Sequence, residues 1–259
     1  MGTPQLEIKA IEKIFSIGNE YLQVLEKINC SIEKGEFISI VGPSGCGKST
    51  LIRMIAGLDH PTTGSISLRG KEIKAPSLNI GMVFQEARLF PWLSVRKNIE
   101  FGITDKTVSR KEKKERAEKI IELVGLKGFS KALPKQLSGG MQQRCNIARS
   151  LINTPEILLL DEPFGALDAF TRMNMQQELL KIWKQQENTM ILVTHDIDEA
   201  IFLSTRILII SERPGKIKDI IEVNLEGQRD RSSSEFMEIR KRIMKSLFGT
   251  NDEQLEYYL

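Results

Sequence analysis

Phe37-Ile38-Ser39-Ile40-Val41 runs directly into Gly42-Pro43-Ser44-Gly45-Cys46-Gly47-Lys48-Ser49-Thr50, and a helical pattern follows. An apolar, β-rich run that delivers G-x-x-x-x-G-K-[ST] to the start of a helix reads as a phosphate-binding loop. Glycines at 42, 45 and 47 let the backbone turn tightly and aim N–H groups inward, and the helix adds the positive end of its dipole. Lys48 is placed to reach the β- and γ-phosphates of a nucleotide, the Ser49 hydroxyl to ligate magnesium, and Thr50 to hold the α-phosphate side. Cys46 is a bystander, because phosphoryl transfer to water needs no covalent intermediate here. A bulky adduct on it would still block the site, so sensitivity to thiol reagents is expected.

Outward from the loop, apolar runs recur at 80–84, 157–160, 190–193 and 206–210, with helical patterns between most of them, the pattern of an α/β sheet. Near the N-terminus, 6–15 and 21–32 read as strands, and 64–73 adds a short one after Pro61-Thr62-Thr63-Gly64, which predicts an antiparallel flank. From Leu89 to Pro155 the character turns helical, with Ser109 and Glu112 spaced as a capping box. The charges from Arg110 to Arg116 read as a solvated helix face. Ser232 and Glu235 form a second capping-box spacing ahead of Phe236, Ile239, Ile243 and Leu247, with Gly249 as a stop. That stripe is expected to pack on the core of the chain itself.

Ile157-Leu158-Leu159-Leu160-Asp161-Glu162 ends a strand in two adjacent carboxylates, whose side chains strand alternation sends different ways. Asp161 is suited to hold magnesium through its water shell, and Glu162 to polarise an attacking water as general base. Met190 to Val193 delivers Thr194-His195-Asp196 to the strand end, where ligands gather in open parallel sheets. His195 there bonds the γ-phosphate and the water, or is simply structural. Gln85, after 80–84, offers a neutral oxygen to the metal or the water.

Hydrophobic residues at 41% and charged residues at 27% are ordinary for a globular protein, and nothing in them suggests disorder. A net charge of +3 without a basic block gives nucleic acid no obvious purchase. The longest apolar stretches fall far short of the roughly 20 residues of a membrane span. The first ten residues do not read as a secretory signal, and Cys30, Cys46 and Cys145 read as free thiols in a reducing compartment.

Leu137-Ser138-Gly139-Gly140-Met141-Gln142-Gln143-Arg144 places Ser138 and glycine N–H groups at a helix start, a second phosphate-binding end. This segment resembles the signature sequence of ABC-type ATPases, and the resemblance extends over nearly the whole chain. It implies an α/β fold: a P-loop NTPase core with a RecA-type, mostly parallel sheet, an antiparallel β flank and an inserted helical subdomain. The implied division is a core at 1–88 and 155–225, a signature subdomain at 89–154 and a helical tail at 226–259. In such a family each ATP lies between the cradle of one subunit and the signature of its twin in a head-to-tail homodimer. Gln85 then matches the Q-loop, Asp161 and Glu162 the Walker B aspartate and catalytic glutamate, Leu167-Asp168 the D-loop, and His195 the switch histidine. Phe15, or alternatively Tyr21, fits the aromatic that stacks on adenine. Met141 stands where the signature more often has Gln, and Gly165-Ala166 where Ser-Ala is frequent.

The segments 84–93, 194–200 and Arg213-Pro214-Gly215 are similar to the nitrate, sulfonate and taurine importer branch. The implied cofactors are ATP and Mg2+. The implied partners are transmembrane permease subunits and, indirectly, a solute-binding protein, with the chain peripheral on the cytoplasmic face. Leu89 to Leu93 is either the surface that receives a permease helix or ordinary inter-lobe packing. A soluble ABC-type switch acting on nucleic acid or ribosomes is the rival reading; it usually carries two cassettes or a long coiled coil, and this sequence has neither.

Overall fold

The computed structural model describes residues 4–186, 188–225 and 229–249. The first strands are β1 (Leu6–Ile17), β2 (Glu20–Ile32) and β3 (Phe37–Val41), followed by α1 (Lys48–Ile55), β4 (Thr63–Leu68), β5 (Lys71–Glu72) and β6 (Ile80–Val83). Then come α2 (Val95–Glu100), α3 (Arg110–Leu123), a 3-10 turn at Pro134–Gln136, α4 (Gly139–Leu151), β7 (Ile157–Asp161) and α5 (Ala169–Gln186). The chain continues through β8 (Thr189–Val193), α6 (Ile197–Leu203), β9 (Arg206–Ile210), β10 (Ile217–Glu222) and α7 (Ser234–Phe248). Two compact units result: Met1–Pro76 with Ile191–Leu259, and Ser77–Met190.

In the first unit an antiparallel sheet has the order β2-β1-β4-β5. The expected short strand after residue 63 is in fact a hairpin, because Arg69 and Gly70 both take left-handed backbone and turn the chain back. A second set has the order β10-β9-β3-β8, with β3 and β9 parallel, Ile38 facing Arg206 and Val41 facing Ile209. All five residues of β3 are buried, which is why it reads as an unbroken apolar run instead of an alternating one. Its one hydroxyl, Ser39, is hydrogen-bonded to that of Ser204, so no buried polar atom there lacks a partner. β10 closes the set antiparallel to β9; its sequence, with Lys218 and Asp219 exposed, carried no apolar run to announce it.

α7 lays Phe236, Ile239, Ile243 and Met244 inward against its own unit, and Arg240 pairs with Asp198 of α6 at 3.2 Å. The tail stripe is therefore core packing. The cap is Ser233, which accepts from Phe236 N at 3.2 Å, not Ser232, whose hydroxyl donates to Asp230. A one-residue shift corrects the capping-box reading, since Asp230 claims both N–H and O–H of Ser232 for a turn. The expected tail beyond residue 249, and residues 226–228, lie outside the described residues.

In the second unit β6 and β7 pair in parallel, Ile80 with Ile157 through Val83 with Leu160. α3 is capped by Ser109, which accepts from Glu112 N, and it buries Ala117 and Ile121 while Lys111, Lys114 and Glu115 stay in solvent. The charge run is a solvated face. α2, which had no apolar periodicity long enough to read, starts from a Ser94 cap and buries Asn98 completely.

Candidate active site

In the first unit, β3 stops at Val41 and α1 starts at Lys48, so the chain between them is the turn the sequence predicted. α1 differs from α2, α3, α4, α6 and α7, whose caps are Ser94, Ser109, Ser138, Asp196 and Ser233. Its N-cap is Gly47 at φ 105°, with no side-chain cap and no acidic residue in its first turn. No side chain neutralises this helix start, and its dipole favours a negative group there. A Cβ on Gly47 would lie 2.7 Å from Leu25 Cδ2, and one on Gly42 2.6 Å from Ile210 O. Only glycine lets the loop sit this close to β2 and the end of β9. Lys48 is 6% exposed, and its Nζ donates to Gly42 O and Pro43 O, both at 2.8 Å, which anchors the ammonium inside the loop.

His195 is exposed two residues past the end of β8. Its neighbours are fixed: Thr194 donates to the buried Glu199 Oε2 at 2.7 Å and accepts from Asp196 N at 3.0 Å, and Asp196 caps α6 through Glu199 N. Phe15 pairs with Leu22 across the β1–β2 hairpin, and Lys13 Nζ stands 4.7 Å from its ring centre. Phe15 is 36% exposed and Tyr21 82%.

In the second unit β7 ends on Asp161, and Glu162 leaves the strand with φ 44°, a left-handed backbone that is uncommon for a residue other than glycine. Strand alternation therefore does not divide the two carboxylates, as the sequence suggested; a turn does, closed by Gly165 N to Glu162 O at 3.2 Å. A non-glycine residue held in this region is a local cost that surrounding structure must maintain, and such residues concentrate at functional sites. Gln85 is exposed, and its Nε2 would lie 3.1 Å from a Cβ on Gly165, so the fold brings Gln85 against the Glu162–Gly165 turn.

α4 opens at the exposed Ser138 and Gly139; Ser138 Oγ accepts from Met141 N at 3.3 Å. Gly140 is buried where a Cβ would meet Thr171 Cγ2 at 2.5 Å, so the signature glycine is also what lets α4 approach α5. Asp168, exposed, accepts from Thr171 N at 3.0 Å, and that backbone hydrogen bond holds its carboxyl below the usual carboxylate range. The side chains that the sequence singled out for a cation are the Ser49 hydroxyl in the first unit and the Gln85 amide and Asp161 carboxylate in the second. All are oxygens and none is fully buried, which suits a hard ion that keeps waters. Among the described residues no group of three or more His, Cys, Asp or Glu gathers to hold a metal.

Residues 25–165 match the family profile described as ABC transporter. The chain belongs to the ABC transporter family. An aliphatic sulfonates import ATP-binding protein of Bacillus cereus is 52% identical over 93% of this chain and 94% of its own. An uncharacterised ABC transporter ATP-binding protein of Methanocaldococcus jannaschii is 50% identical over 94% of this chain and 91% of its own. The dimeric post-hydrolysis state of an ATP-binding cassette bound to ADP and Pi superposes with a TM-score of 0.73 at 34% identity, covering 85% of this chain and 99% of that one. The chain is accordingly an ATPase of the ABC class with the P-loop NTPase fold.

Sequence reasoning missed Asn98. This buried amide accepts from Phe90 N at 2.8 Å and donates to Leu93 O at 2.9 Å and to the carbonyls of Phe90 and Ser94, so it fixes the 90–94 loop. A lone Asn in an unread helix gives no signal.

Cys46, Cys30 and Cys145 are free. Burial pushes the Cys30 thiol up to about 11 and the Cys145 thiol to about 12. Cys46 is 1% exposed, so the expected sensitivity to thiol reagents requires the loop to open before a reagent reaches it. With iodoacetamide, Cys46 should label at least about tenfold more slowly in the folded chain than in urea, read by peptide mass spectrometry. Equal rates would mean that the loop opens freely.

Proposed function

We propose that this chain is the motor subunit of an importer for a small anionic solute of the sulfonate type, working as a head-to-tail pair at the cytoplasmic face of the membrane. The observation that carries this reading is the 52% identity to an aliphatic sulfonate import subunit over nearly the full length of both chains. Supporting it, one chain carries two anion-receptive helix starts, the uncapped α1 and the exposed Ser138 end of α4. In the ABC-type arrangement that the sequence resembles, one nucleotide uses both, each from a different copy.

Lys48 and the N–H groups after Gly47 hold the β- and γ-phosphates, and Phe15 or Tyr21 stacks on the base. Ser138, Gly139, Gly140 and Met141 of the second copy close over the γ-phosphate, with Asp168 at the junction. Glu162 polarises the attacking water, and Gln85 and His195 orient it. Ser49, Gln85 and Asp161 would hold magnesium, which when bound neutralises charge on the phosphates. Closure aligns these groups; loss of the γ-phosphate removes what held the copies together, and the pair reopens.

The contact to the permease is placed on the loop that Asn98 holds. Trp92 is 72% exposed and Phe101 60%, and Phe90 packs between them with ring centres at 5.6 and 4.5 Å. Aromatic surface left in solvent on a rigid loop suits an apolar partner segment. No helix among the described residues is long and apolar enough to cross a membrane.

Proteoliposomes containing this chain, a permease that co-purifies with it and the matching capture protein should take up radiolabelled ethanesulfonate only with ATP inside. Uptake of nitrate but not of alkanesulfonates would move the solute to the other side of the branch. Co-purification with RNA or ribosomes and no permease would favour the rival soluble switch.

A further inference from the structure

We propose that Arg213 is a positioning residue for the phosphate-binding loop, and that the turn joining β9 to β10 is a brace that sets the affinity of the loop for nucleotide phosphates. The proposal rests on the reading of residues 42–50 as the nucleotide site.

Arg213 sits 168 positions after Gly45, yet its Nε and Nη2 both donate to Gly45 O, at 3.1 and 2.7 Å. The next carbonyl is held too: Gly215 packs so closely on Cys46 O that a Cβ there would lie 2.3 Å from it. Two consecutive carbonyls of the loop thus face one turn. The turn is itself fixed from the other side, by Gly215 N to Val24 O at 2.9 Å, Glu26 N to Gly215 O at 3.0 Å and Lys216 N to Ser211 Oγ at 3.0 Å. β2, the turn and the loop form one connected layer.

The consequence lies in the peptide between Gly45 and Cys46. In a trans peptide the C=O and N–H point in opposite directions. Holding the carbonyl outward on Arg213 therefore holds Cys46 N–H inward, where Pro43 O takes it at the long distance of 3.4 Å. An anion nest works only while successive N–H groups converge. Gly45, at φ 75°, is the residue most able to let that peptide rotate, because it lacks a Cβ. Two donors of a rigid, permanently charged fork on one oxygen fix its direction as well as its distance, which a single flexible ammonium does less well. The guanidinium is exposed, so its charge is not desolvated to do this.

The test compares the wild-type full chain with Arg213→Gln, Arg213→Lys and Gly215→Ala. ADP binding is followed by calorimetry, ATP turnover by phosphate release, and folding by thermal melting. Arg213→Gln should raise the Kd for ADP and the KM for ATP about five- to tenfold, while kcat changes less than about twofold and Tm stays within about 2 °C. Arg213→Lys should recover part of the affinity. Gly215→Ala, which pushes on the neighbouring carbonyl, should weaken ADP binding by a different route. ADP affinity within about twofold of wild type in Arg213→Gln overturns the brace. So does unfolding of both Arg213 variants, which would make the arginine a stability residue. Failure of the wild-type chain itself to bind ADP would instead count against the nucleotide site.

Discussion

Glu162→Gln is expected to keep ATP bound and to lower turnover at least about a hundredfold, the usual scale for losing a positioned general base. The substitution keeps side-chain length and shape, so the left-handed backbone at 162 and the turn closed by Gly165 N should survive it. What is lost is the basic oxygen that draws a proton from water. Because reopening follows loss of the γ-phosphate, the variant should also accumulate as an ATP-loaded pair. Light scattering during size exclusion with ATP should then find twice the monomer mass, where wild type returns to monomer as ATP is consumed. Wild-type phosphate release by this variant would remove Glu162 from the chemistry.

Ser138→Arg carries the second large effect: binding of nucleotide by a single copy retained, pairing and turnover lost by about two orders of magnitude or more. Ser138 is exposed and lies in the second unit, away in sequence from every residue of the cradle, so a long cation there should not disturb Lys48 or its carbonyl partners. It does remove the Met141 N cap, at a cost of about 1 kcal/mol to α4. Ser138→Ala removes the cap alone and separates the two causes. Mixing Ser138→Arg with Lys48→Ala gives the decisive arm, because one of the two sites in a mixed pair then combines an intact cradle with an intact signature. Activity recovered on mixing two inactive variants is the expected result; none recovered, with both variants folded, would leave no role for the signature across subunits.

The legible parts of the fold and site were those encoded by neighbours in sequence. The cradle from Gly42 to Thr50 is a turn whose glycines, lysine and hydroxyl all lie within nine positions, so composition and spacing reveal it before any packing is known. β3 and β9 announced themselves because burial on both faces demands an unbroken apolar run. The Ser109 cap was readable for the same local reason, whereas the cap of α7 slipped by one residue because Asp230 competes for Ser232. Glu162 was readable as a carboxylate after a strand, but its φ was not: a left-handed residue is imposed by the turn around it and leaves no mark in composition.

The chain by itself determined the chemistry it carries, a phosphate loop, a carboxylate pair and a signature, because each is a short segment whose residues hydrogen-bond to their own neighbours. Tertiary structure decided how those segments are held. Asn98 on the 90–94 loop and Gly140 against Thr171 are contacts between different elements, and the grip of Arg213 on Gly45 spans 168 positions. No spacing rule reaches that far: loop closure lets almost any two distant residues meet, and only the packing of the whole selects which pair does.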